Sequence, residues 1–274
     1  MINQLRADYY KLFHSKLFYV ICTVFILSFI AFTAMAFRKN VFSMGSIVGY
    51  KKGIPLIDGF IGFSYKHLGK PTFWELVYSA TAFNGLLWFI LMVFSIQFIS
   101  KEYQVGTIKL EVAYGIDIFK VYVSKSIVVI SFFEVMLCIF NFAAFAVVSL
   151  VEKYTPSFGN IAFLVELILL YCLILAVFTL ICFTLYIAIK NTAVISTIMP
   201  IFMFSTIVIY IMYGFKQPLL VQCYVKINPF YYMSSASRFW AQPEILRNIL
   251  LYFSISVPIL LISSYFILKQ QEIK

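Results

Sequence analysis

Few residues in this chain could do chemistry, and their spacing excludes most reactions. The nearest approach to a phosphate-binding loop is Gly62-Phe63-Ser64-Tyr65-Lys66-His67-Leu68-Gly69-Lys70-Pro71, where six residues separate the glycines and Pro71 stands in place of the magnesium-holding hydroxyl. A working loop needs four residues between its glycines and a Ser or Thr after its lysine. Ser64 followed by His67 offers a nucleophile and a base, but both fall in a loop, and His14 is the only other histidine. Without an HExxH pattern, neither a metal centre nor a hydrolytic triad has enough side chains. The five cysteines (Cys22, Cys138, Cys172, Cys182 and Cys223) are odd in number and form no CxxC pair. Four lie inside apolar runs, where a small soft side chain packs well, so neither a disulfide framework nor a thiolate metal site is expected. The chain should not be an enzyme by itself and should hold no metal or cofactor.

Two carboxylates stand inside apolar runs, where an ionisable group costs at least about 2.5 kcal/mol on insertion scales. Glu134 is the deeper, with Asn141 seven residues on along the same helical face and Asn84 in another run as a partner. These three could line a translocation path, or could serve as interhelical hydrogen bonds. Glu166 lies near the end of its run and should reach water.

The elements that must position these residues follow from composition. Of 274 residues, 63% are hydrophobic and 12% charged, against about 45–50% and about 25% in a soluble domain. Six runs are long enough to cross a bilayer as helix, which takes about 20 residues: 17–37, 76–100, 126–151, 161–189, 191–215 and 248–268. The reading is an all-α integral membrane protein of one domain, residues 1–274, with no soluble catalytic unit. Ala34-Met35-Ala36 resembles a signal cleavage site, but an apolar run of 21 residues exceeds a signal core of about 7–15 and reads as a retained helix. Pro200 and Pro258 should kink the fifth and sixth spans.

Residues 1–16 read as an amphipathic interfacial helix, with Ile2, Leu5, Tyr9, Leu12 and Phe13 on one side and Gln4, Asp8, Lys11 and Lys16 on the other. The glycine-rich loop 38–75 reads as an irregular excursion. Asn228-Pro229-Phe230-Tyr231-Tyr232-Met233 is too short to span and too apolar to float, which suits a re-entrant or interfacial segment before the last span. With six spans, the side holding the termini carries 10 basic residues in 48 and the opposite side 11 in 79; the denser side leans cytoplasmic. The net charge of +10 is explained by anionic headgroups and needs no nucleic acid.

The most informative stretch joins the second and third spans: Lys101-Glu102-Tyr103-Gln104-Val105-Gly106-Thr107-Ile108-Lys109-Leu110, continuing to Gly115, Asp117, Lys120 and Lys125. Val105, Ile108, Val112, Ile116 and Phe119 make an apolar stripe that would lie on the membrane while charge faces a soluble partner. Ile108, Leu110 and Val112 alternate as in a strand, so helix and strand both remain open.

Here the sequence resembles the permease subunits of type-2 ATP-binding-cassette exporters, whose second span is followed by Glu-x-x-x-Gly-Thr-hydrophobic-Lys. Glu102, Gly106, Thr107, Ile108 and Lys109 match, and Lys125 matches a lysine opening the third span, whereas Gly115 to Lys120 departs from the family's turn. The layout is similar throughout, including the basic start and Asn228-Pro229-Phe230 before the last span. The resemblance implies a type V exporter-like fold with a cytoplasmic coupling helix at residues 102–109 and a re-entrant segment at 228–230. It implies cytoplasmic termini in a bacterial plasma membrane, and a second permease half, identical or not. Two separate ATPase subunits would carry the ATP and magnesium. The cargo implied is an amphipathic or antimicrobial peptide, then a hydrophobic drug, then a lipid or polysaccharide. The competing classes are a passive channel, a scaffold without an energy source and an integral membrane enzyme.

Overall fold

The computed structural model describes residues 2–52, 54–62, 71–213 and 218–272. The near-P-loop, with Ser64 and His67, falls almost wholly outside them. The chain begins with α1 (Ile2–Phe13) and α2 (Lys16–Arg38), followed by four short strands: β1 (Phe42–Ser43), β2 (Ser46–Lys51), β3 (Ile54–Asp58) and β4 (Ile61–Gly62). Next come α3 (Phe73–Thr81), α4 (Asn84–Gln104), α5 (Thr107–Ala113), α6 (Ile118–Val151) and α7 (Phe158–Ile189). The chain closes with α8 (Thr192–Tyr213), α9 (Leu219–Ile227), α10 (Pro229–Ala236) and α11 (Pro243–Glu272).

Among the described residues five segments are long and apolar enough to cross a membrane: Lys16–Arg38, Phe73–Gln104, Ile118–Val151, Phe158–Ile189 and Pro243–Gln270, with a shorter apolar stretch at Thr192–Thr206. The chain is therefore a largely helical, multi-pass membrane protein. The second segment is two helices, α3 and α4, separated at Ala82 and Phe83. It is the centre of the bundle, 72% buried along its most apolar window, whereas the corresponding window of α11 is only 6% buried and lies at the periphery. Aromatic rings fill the core, with Phe32, Phe83 and Phe140 meeting between α2, the α3–α4 break and α6.

Local sequence sets the helix ends. Ser15, Asp117 and Ser157 accept hydrogen bonds from the backbone N–H of Phe18, Lys120 and Asn160 and so cap α2, α6 and α7. Lys39 and Lys190 end α2 and α7 in the left-handed conformation usually left to glycine. Lys39 also reaches Glu152 at 3.0 Å.

Loop 38–75, expected to be irregular, holds two small antiparallel sheets, β1 with β4 and β2 with β3. Glycine makes them fit. A Cβ on Gly45 would lie 2.1 Å from the carbonyl oxygen of Asp58, and Gly59 has φ +101° and crosses Gly45 backbone to backbone. This layer is tied to the segment before α11. Gly59 N–H donates to the Ser234 carbonyl at 2.7 Å, Arg238 meets Asp58 at 3.5 Å, and Trp240 stacks on Trp74 with centroids 4.5 Å apart.

Candidate functional site

Residues 102–109 and Lys125 lie at the end of the bundle where α4, α5 and α6 meet α1. Gly106 turns the chain with φ +77°, releasing α4 and starting α5, and Gly115 ends it with φ +83°. Ile108 is 5% exposed and packs inward, while Lys109, Leu110 and Tyr114 face outward. Val105 is 64% exposed and leaves the expected stripe, because Gly106 redirects the chain immediately after it.

Beneath α5 lies a buried ion cluster. Lys125 is fully buried, and its Nζ lies 2.6 Å from Glu102 Oε2, 2.9 Å from Asp8 Oδ1 and 3.4 Å from Glu111 Oε1. Lys11 holds Glu111 Oε1 at 2.7 Å from the other side. Hydroxyls complete the network: Ser124 Oγ donates to Asp8 Oδ2 at 2.7 Å, and Thr107 Oγ1 is placed against both Glu102 Oε2 at 3.0 Å and the Glu102 carbonyl at 2.9 Å. The Glu-x-x-x-Gly-Thr spacing thereby acquires a physical reason. Gly106 folds the chain back so that Thr107 can reach the carboxylate of Glu102, which in turn neutralises Lys125.

A buried ammonium is tolerated only where paired charges and hydrogen bonds offset its desolvation. Asp8, Glu102 and Glu111 bring carboxylate oxygens within 4.8 Å of one another, the spacing of a cation site. The Lys125 ammonium stands in the cation's place. Burial alone would raise the Glu111 carboxyl, but Lys11 and Lys125 outweigh it and hold it below its ordinary value. The arrangement fastens the first helix, the end of α4, α5 and the start of α6 into one unit.

Asp8 corrects the sequence reading, which set it on the polar side of α1. It is 1% exposed and points into the bundle. Asp8, Glu111 and Lys125 form the heart of the cluster, and sequence reasoning did not bring them together. The signal was present, because Leu5, Asp8 and Leu12 are spaced three and four apart, as are Val121, Lys125 and Val128 along α6. Each charge sits inside an apolar stripe and has to meet its complement.

Glu134, Asn141 and Asn84 are not brought together: no hydrogen bond joins them among the described residues. Asn141 Nδ2 instead donates to the Leu137 carbonyl at 2.8 Å within its own helix, and Asn84 is fully buried with its amide unpartnered. None of the three lines the cavity of about 780 Å³ between α7, α8 and α11.

Asn228, Pro229 and Phe230 start α10. The Asn228 side chain accepts from Phe230 N–H at 2.9 Å and donates to the Phe202 carbonyl of α8. Pro229 takes the first helical position, where no donor is lost, and Phe230 is 2% exposed. The motif is thus a helix cap anchored to a neighbouring helix.

Compared with known protein families and with curated proteins, the chain matches none.

Proposed function

We propose that this protein is the transmembrane half of an ATP-driven exporter, and that a separate ATPase acts on it through α5. The observation that carries this reading is the pairing of an exposed face with a locked base. Val105, Leu110 and Tyr114 are 64%, 58% and 85% exposed beside Lys109, while the other side of α5 is held through Glu111 and Thr107 to the buried cluster. Exposed apolar side chains grouped with a cation suit a soluble protein partner. A push on that face is transmitted as a rigid-body movement, because breaking the cluster would leave buried charges unpaired.

Two such halves would enclose the path, each bound to an ATPase that carries ATP and magnesium, with α1 and α5 on the cytoplasmic side of a bacterial plasma membrane. On this reading α8 is the fifth of six spans, α11 is the sixth, and α9 with α10 is the re-entrant segment between them. The sparse charge and abundant aromatic rings favour an amphipathic or antimicrobial peptide, or another hydrophobic compound, as cargo. Capturing the full chain from native membranes in mild detergent should bring down a soluble ATPase at one copy per chain. Capture without any ATPase would leave this reading without support.

A further inference from the structure

We propose that the cavity between α7, α8 and α11 is a binding site for one anionic phospholipid. This proposal is independent of any energy source. The cavity has a volume of about 780 Å³, within the range of about 300–1,000 Å³ found for built ligand sites. Its walls change character along its length. At the end beside α9 and α10 it is lined by Lys226, Asn248, Tyr231 and Tyr252. At the other end it is lined by Ile181, Leu185, Met199 and Leu260, all apolar. Polar headgroup and hydrocarbon tail fit the two ends in that order.

The dimensions and charge agree with such an occupant. From Asn248 to Leu260 the cavity follows α11 for roughly 18 Å at 1.5 Å per residue. That is close to half of a hydrocarbon core about 30 Å thick, so an acyl chain from the leaflet adjoining α9 would fill it. Among the described residues no Asp or Glu lines the cavity, and Lys226 is the one charged residue that does. A phosphate beside Lys226 meets complementary charge, whereas an ammonium headgroup or a cationic peptide does not. The tyrosines hold the mouth open in a defined shape. Tyr232 and Tyr252 stack with centroids 4.2 Å apart, and the Tyr252 hydroxyl donates to the Ile227 carbonyl at 2.9 Å. The cavity lies within one chain, since α7, α8 and α11 supply its walls.

The test uses the full chain in nanodiscs of phosphatidylglycerol mixed with phosphatidylcholine, extracted in mild detergent and analysed for retained phospholipid by mass spectrometry. We expect about one lipid per chain, with phosphatidylglycerol enriched over its share in the nanodisc. Lys226 is exposed, so Lys226→Gln should leave the fold intact; it should lower that enrichment about fivefold, the worth of one lysine beside an anionic surface, and Lys226→Arg should retain it. Ser256→Trp, which fills the cavity, should abolish retention. Equal retention of the two lipids by the unaltered chain, or retention unchanged by Ser256→Trp, would overturn the proposal. Retention of a peptide in place of lipid would also overturn it.

Discussion

Lys125 Nζ lies 2.9 Å from Asp8 Oδ1, although 117 residues separate the two in the chain. One is 0% and the other 1% exposed, so this pair pins the first helix to the start of α6 with little help from solvent. The pair also sets the geometry of α5, since Glu102 and Glu111 share the same ammonium.

Removing one partner should be severe, because the others remain buried and charged. Lys125→Met should cost about 3–5 kcal/mol of stability, and Asp8→Asn about 1–3 kcal/mol. The double variant should be less destabilised than the sum of the two, with a coupling of about 0.5–3 kcal/mol. Unfolding in detergent micelles measures all three, and simple additivity would contradict the shared cluster.

Thr107 offers a milder lesion at the proposed point of coupling. Thr107→Val deletes the contact to Glu102 and should cost about 1 kcal/mol, while Thr107→Ser should not. If α5 transmits motion, Thr107→Val should lower cargo-stimulated ATP hydrolysis of the assembled complex well beyond that small loss of stability. Equal stimulation in both variants would count against transmission through this turn.

Acid should loosen the cluster in a defined direction. Glu111 is held below its ordinary value of 4.5, so its contribution is fully present above that pH and is lost as pH falls through the lower, folded value. Asp58 runs the opposite way. Burial raises it despite Arg238, so its contribution is fully present below 3.8 and is lost as pH rises through the folded value. Stability measured between pH 7 and 3 should therefore fall less steeply on acidification in Glu111→Gln than in the unaltered chain. An unchanged slope would show that Glu111 is not ion-paired.

At the opposite end of the bundle, Asn228→Ala should cost about 1 kcal/mol through loss of the α10 cap, and more through the acceptor stranded at Phe202. Asn228→Ser keeps a capping oxygen and gives up the amide donor to Phe202, so it should fall between Asn228→Ala and the unaltered chain. Thermal unfolding of the three proteins gives this order or refutes it.

Much of the fold was legible because bilayer spans are long and uniform. Ile161 to Ile189 could be read as a helix from apolarity alone, and its observed bounds, Phe158–Ile189, differ by three residues at one end. The break at Ala82 and Phe83 was passed over although Asn84-Gly85 adjoins it, because that pair sits inside a long apolar run and the break depends on packing around Phe32 and Phe140. The strands in loop 38–75 were also hidden. They are short, and their glycines serve a close crossing that spacing does not reveal. In the candidate site, Glu102, Gly106 and Thr107 were found as a local pattern. Asp8 was not, because its partner is distant in sequence and the helical wheel of α1 was read against lipid instead of against another helix.

The most direct measurement is capture of the full chain from native membranes in mild detergent, with quantification of bound ATPase for the unaltered chain and for Lys109→Glu and Tyr114→Ala. Both side chains are exposed on or beside α5 and outside the ion cluster. We predict one ATPase per chain, hydrolysing ATP in the eluate, and several-fold less ATPase bound to either variant while insertion and stability are unchanged. An ATPase that binds both variants as well as the unaltered chain, or no ATPase at all, would contradict the claim that energy enters through α5.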